Sequence, residues 1–317
     1  MRLLDRIQPE FWWLFGGLVA LLAVASTIGL VLARREQPVE KQTSIENLND
    51  RINAWWVMVA YLAAAFLLGP TVTLVLFALL SFFALREFIT LTPSFEGDRL
   101  ALSLAFFTIV PAQYFLIGID RYGTYVVFIS VYVFLLLPAI AAMAGDIRDF
   151  LTRAAKTQWA LMITVYCLSH APALLLLDIP GFAGRNALLL FYLLFVVQIS
   201  DVMQYVFGKL FGKTKIAPTV SPSKTVAGFV GGGLSAVAFG AAMWWITPFT
   251  PLQSAAMAAA IVIMGFLGGL TLSAVKRSLG AKDWGVMIEG HGGVLDRVDS
   301  ICFAAPIFFH LTRFFFV

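Results

Sequence analysis

Charge, cysteine and histidine are all scarce in this chain. Only 13% of its 317 residues are Asp, Glu, Lys or Arg, where a soluble domain carries about 25%. There are 2 cysteines, Cys167 and Cys302, both inside apolar stretches. That excludes a disulfide scaffold and a cysteine-based zinc site. With 60% hydrophobic residues and a mean hydropathy of +0.88, the shortage of charge also excludes a disordered chain and an ordinary cytosolic enzyme. No internal repeat, low-complexity tract or soluble domain is visible. What remains is an all-α polytopic integral membrane protein.

Apolar runs at 11–33, 55–68, 70–85, 100–118, 123–144, 158–177, 187–207, 226–247, 252–275 and 300–317 predict about ten transmembrane helices. Gly69-Pro70 breaks the stretch 55–85, which reads as a hairpin of two short helices; if it crosses once, the count is nine. The first run is too long for a secretory signal and follows Asp5 and Glu10, so a retained helix is expected. Of the 22 basic residues, 17 fall in 34–54, 86–99, 145–157, 208–225 and 276–299, which assigns those connections to the cytoplasm. Three regions follow: an N-terminal helix and linker at 1–54, a bundle at 55–185, and a candidate catalytic region at 186–317, whose loops 208–225 and 276–299 hold the charge considered next. The net charge of +4 is explained by this asymmetry and implies no nucleic-acid partner.

The densest polar cluster lies between Ser273 and Asp299. Juxtamembrane snorkelling accounts for Lys276 and Arg277. It does not account for aspartates gathered among glycines and further basic groups. Asp283, Asp296 and Asp299 are hard oxygen donors of the kind Mg2+ takes, one or two at a time beside substrate phosphates. Lys276, Arg277, Lys282 and Arg297 suit phosphate oxygens. Gly290, Gly292 and Gly293 let backbone N–H groups approach an anion, and His291 stands between them. If a helix begins near Val294, Asp296 and Asp299 share one face.

The second cluster is Asp201 with loop 208–225, which holds four lysines and no acid. Orientation explains lysines but not an ionisable residue at the end of an apolar span, so Asp201 is a functional candidate. Gly212-Lys213-Thr214 imitates the end of a P-loop, yet Phe207 stands where the earlier glycine is required. Glycines 231–233, 265, 268 and 269 lie inside spans and are read as helix-packing positions. His170 and His310, at span ends, are read as packed or interfacial. A Ser/His/Asp triad stays open, though nothing singles out a nucleophile.

Lys276-Arg277-x4-Lys282-Asp283-x-Gly285, followed by His291-Gly292-Gly293-Val294-x-Asp296-Arg297-x-Asp299, resembles the C-terminal signature of the phosphatidate cytidylyltransferases, or CDP-diacylglycerol synthases. Asp201-x3-Tyr205-x2-Gly208-Lys209 and Ser221-Pro222-x-Lys224-Thr225-x2-Gly228 resemble that family's upstream block. Glu289 and Gln204 depart from the pattern. The resemblance implies that CTP and phosphatidate give CDP-diacylglycerol and pyrophosphate, with Mg2+ alone or with a monovalent cation such as K+. It implies metal ligation by Asp283 and Asp296, with Asp201 or Asp299 completing the shell. Lys276, Arg277, Lys282 and Arg297 would hold phosphates. Ser221, Lys224, Thr225, Tyr205, His291, Gly292 and Gly293 would line the substrates. The expected location is a prokaryotic inner membrane with the site facing the cytoplasm, and a homodimer stays open. Two rivals remain: a transferase acting on another acidic lipid, and an ion-coupled transporter. The transporter would show midplane charges and repeat symmetry.

Overall fold

The computed structural model describes residues 9–33, 49, 52, 53, 56, 59–65, 67–285, 287 and 292–317. The described chain is almost wholly helical, and eight of its helices are long and apolar enough to cross a membrane. We label them α1 (Pro9–Ala33), α2 (Pro70–Thr90), α3 (Glu96–Gly118), α4 (Tyr122–Met143), α5 (Phe150–Leu176), α6 (Asn186–Phe211), α8 (Pro251–Ser278) and α9 (Leu295–Phe316). A shorter apolar helix, α7 (Gly228–Ala242), follows an antiparallel hairpin of β1 (Lys215–Ala217) and β2 (Ser221–Thr225). The protein is thus an all-α polytopic membrane protein, with one small β-hairpin among the described residues.

The break at Gly69 is built as its sequence requires. Gly69 has φ +90°, open to glycine at little cost, and Pro70 opens α2 where its missing N–H is harmless. Across the break Tyr61 Oη donates to Leu76 O, and Thr73 Oγ1 donates to Ala65 O at 2.6 Å. Such partners, symmetric about residue 69, require the chain to reverse, so 59–65 and 67–90 form a helical hairpin. The second arm is longer than the apolar run 70–85: it continues to Thr90 and takes Arg86 and Glu87 into the helix.

Two of the prolines inside the spans are accommodated by different devices. In α3 a π-helical stretch, Ala105–Ile109, precedes Pro111, so the helix widens where the ring would meet the preceding turn. In α4 Pro138 cannot donate to Phe134 O. Buried Gln158 of α5 donates to that carbonyl at 3.3 Å and to Val133 O at 3.2 Å. Apolar surroundings offer no water to do this, so the neighbouring helix must.

The intraspan glycines act as spacers, as their sequence context predicts. A Cβ on Gly268 of α8 would lie 2.8 Å from Asp299 O of α9, and one on Gly232 would collide with the Gln204 backbone of α6. Helices α8 and α9 therefore pack backbone to backbone along much of their length.

The connections on the α2–α3 and α4–α5 side are locked by Arg153. Its buried guanidinium pairs with Asp98 (3.0 Å) and Asp146 (3.4 Å) and donates to Arg148 O and Asp146 O (2.6 and 2.9 Å). Arg148 grips both oxygens of Asp146, holding that carboxyl below the usual carboxylate range. Removing the buried cation strands Asp98. Arg153→Met is expected to destabilise the protein by about 3 kcal/mol, read as a lowered thermal midpoint in detergent; an unchanged midpoint contradicts the lock.

Candidate active site

The end of α8 and the start of α9 are bound together by charge. Lys276, buried in the last turn of α8, donates to Asp296 Oδ1 at 2.5 Å. The other oxygen of Asp296 accepts from Trp284 N (2.8 Å) and Gly293 N (2.9 Å). Asp296 stands in the first turn of α9, where the helix dipole favours an anion. Trp284 is buried and stacks on Phe88 of α2, with ring centroids 4.9 Å apart. Gly292 has φ +80°, and a Cβ there would come 2.8 Å from Asp296 Oδ2 and 3.2 Å from the Asp283 side chain. Asp283 therefore stands at the mouth of this loop, exposed.

A residue from α2 completes the arrangement. Glu87, 7% exposed, accepts from Val294 N and Leu295 N, each at 2.8 Å. It thereby caps α9 from more than 200 residues away in sequence. A Cβ on Gly293 would collide with this carboxylate, so glycine is needed for the close approach.

One turn further into α9 is a second group. Asp299 Oδ1 accepts from Ser300 N (2.6 Å), and Ser300 Oγ donates to Asp201 Oδ2 of α6 (3.2 Å). Lys224 of β2 arrives from the other side, donating to Phe266 O (3.3 Å) and lying 4.5 Å from the Phe266 ring centroid. These groups meet over Gly269: a Cβ there would be 3.0 Å from Lys224 Nζ, 3.6 Å from Ser300 Oγ and 3.7 Å from Asp299 Oδ2. Burial holds the Lys224 pKa below the usual lysine range, against the opposing pull of the Asp201 and Asp299 charges. Arg297, partly buried, lies within electrostatic reach of Asp201.

The structure thus joins residues from both sequence clusters: Lys224 and Asp201 from one, Lys276, Asp283, Asp296, Arg297 and Asp299 from the other. Thr225 is buried and accepts from Gly228 N (3.1 Å), fixing the hairpin's exit into α7. Ser221 is buried at the start of β2. Tyr205 is exposed, with Lys209 Nζ 5.7 Å from its ring centroid. Arg277 and Lys282 are exposed, and Arg277 donates to Ala281 O at 3.4 Å. Neither pairs with an acid of the cluster among the described residues. His291, with Glu289 and Gly290, lies outside the described residues. Among the described residues no three His, Cys, Asp or Glu side chains gather closely enough to hold one ion. The carboxylates instead fall into an outer pair, Asp283 and Asp296, and an inner pair, Asp201 and Asp299. Sequence reasoning missed Glu87 and Ser300. Glu87 carried the same signal as Asp201, an acid inside an apolar helix, hidden by ending the run at residue 85.

The cytidylyltransferase family model matches residues 49–315 and so spans both clusters. The chain belongs to the cytidylyltransferase family. It is 36% identical over 299 residues to the uncharacterized protein YnbB of Escherichia coli K12, covering 94% of this chain and 96% of that one. Phosphatidate cytidylyltransferases are also similar. The Staphylococcus haemolyticus protein is 33% identical over 54% of this chain and 67% of its own length. The Aquifex aeolicus protein is 37% identical over 44% and 52%.

Because Glu87 fixes the helix end that carries Asp296, a positioning role is expected of it. Glu87→Ala is expected to lower turnover about a hundred-fold, because α9 loses its cap and the acids shift. Glu87→Gln, which keeps one acceptor oxygen, should recover part of that loss. Equal turnover in Glu87→Ala and the unsubstituted enzyme removes the positioning role.

Proposed function

We propose that the enzyme transfers the cytidylyl group of CTP to phosphatidate, giving CDP-diacylglycerol and pyrophosphate. The observation that carries this reading is the meeting of Lys224, Lys276 and Arg297 with Asp201, Asp296 and Asp299 at one end of a membrane-spanning bundle. Joining a nucleoside triphosphate to a lipid phosphate brings two polyanions together, and fixed cations offset that repulsion. An oxygen of the lipid phosphate attacks the α-phosphorus of CTP. The bond from that phosphorus to the β-phosphate oxygen breaks, and pyrophosphate leaves with the electron pair. The acceptor is itself the nucleophile, so the protein contributes position and charge. Acyl chains stay in the bilayer while the headgroup meets the cluster. The excess of basic loops on the same side supports a cytoplasmic orientation.

The residues fit a divalent ion that takes few protein ligands. Mg2+ needs only one or two carboxylates when phosphates supply the rest. Asp296 already accepts three hydrogen bonds, so Asp283, Asp299 and Asp201 have more capacity left for an ion. When bound, Mg2+ would neutralise phosphate oxygens and make pyrophosphate a better leaving group.

A second acceptor, another acidic lipid, is favoured by one observation: relatives named for phosphatidate match only 54% and 44% of this chain. The test is radiolabelled CTP with membranes containing the full chain and single defined acidic lipids. Labelled lipid and released pyrophosphate are expected with phosphatidate, and both should vanish with a chelator. Label only with a different lipid supports the second acceptor; no labelled lipid from any acceptor overturns transferase activity. Asp296→Asn and Asp299→Asn are each expected to lose about a hundred-fold or more in kcat while remaining folded and inserted.

A further inference from the structure

The face of the bundle opposite the catalytic cluster carries a cavity of its own. Arg313 lies seventeen residues beyond Asp296 on α9, about 25 Å away along the helix. Around it opens a cavity of about 590 Å3 lined by Tyr122, Ile307, His310, Leu311, Arg313, Phe314 and Val317. That is the size of a small-molecule site. An arginine at a span end is ordinarily a snorkelling side chain reaching for the aqueous surface. Arg313 is held differently. Its guanidinium carbon lies 3.8 Å from the Tyr122 ring centroid. Among the described residues no carboxylate comes within 4.0 Å of it.

The rim is ordered by further aromatic contacts. Tyr122 Oη and His310 Nδ1 are 3.4 Å apart, and the His310 ring lies 5.0 Å from that of His170. His170 is wholly buried, with Nδ1 on Tyr166 O at 2.8 Å and Nε2 without a hydrogen-bond partner among the described residues. Stacking engages the face of a guanidinium, while its N–H donors lie in the plane and stay available for two oxygens at once. The fork matches a phosphate, and Tyr122 adds a hydroxyl beside it. The remaining lining is apolar, and Ile307 and Phe314 are exposed on the outside of an apolar span. A free anion has no use for that wall, but a hydrocarbon chain does.

We propose that this cavity binds an anionic phospholipid of the leaflet opposite the catalytic cluster. Its phosphate sits on Arg313, Tyr122 and His310, and its chain runs along Ile307, Leu311 and Phe314. The lipid is a ligand of the fold, separate from any acceptor used in the transfer.

The test is native mass spectrometry of the full chain in neutral detergent, titrated with phosphatidylglycerol. The unsubstituted protein is expected to retain one phosphatidylglycerol about tenfold more tightly than Arg313→Gln. Arg313→Lys, which keeps the charge but loses the fork, should fall between them. Asp299→Asn should bind like the unsubstituted protein, which separates this site from the catalytic one, and Arg313→Gln should keep any cytidylyl transfer. Equal retention by Arg313→Gln and the unsubstituted protein overturns the proposal. So does displacement of the lipid by equimolar inorganic phosphate, which marks a simple anion site, or loss of the bound lipid in Asp299→Asn.

Discussion

Glu87 closes the N-terminus of α9, and the geometry of the candidate site follows from that closure. A bare helix terminus is a ready anion site. Here two of its N–H groups are already satisfied by a carboxylate from α2, and a third nearby N–H, that of Gly293, by Asp296. The helix end is therefore spent on holding the loop. The positive charge at this end therefore comes from the side chains of Lys276, Arg297 and Lys224, which converge there from three separate segments.

Labour is divided between the two halves of the bundle. Helices α2–α5 contribute Glu87 and a buried lock around Arg153, both concerned with placement. Helices α6, α8 and α9, with the β-hairpin, contribute the charged groups of the candidate site. The hairpin delivers Lys224 across α8, and the absence of a side chain at Gly269 lets that ammonium come close to Asp299. Small residues here set which charges can meet as well as how closely helices approach.

Much of this was legible in the sequence, because lipid imposes strong rules. Long apolar runs marked the spans, Gly69-Pro70 marked the reversal, and intraspan glycines marked close helix approach. Asp201 stood out as an acid where acids are costly. The 276–299 cluster was visible as charge out of place, and Lys224 stood out only through the resemblance of its motif. What sequence could not supply was the pairing. Nothing local says that Lys276 takes Asp296, leaving that carboxylate with little spare capacity for an ion. Nothing local ties Glu87 to Val294 and Leu295, because cap and helix are far apart in the chain. Tyr205 and Arg277 sit within the same motifs and are exposed, since a motif fixes spacing and the helix phase fixes direction.

The union of Pro138 with Gln158 has a consequence for how this chain can vary. Proline leaves an unpaid carbonyl on α4, and an amide on α5 answers it. Loss of the amide alone strands a carbonyl in hydrocarbon. Loss of the proline alone makes the amide redundant, with its own polar atoms still to satisfy. The two positions are thus heritable as a couple: each is a tolerable change only in the background of the other.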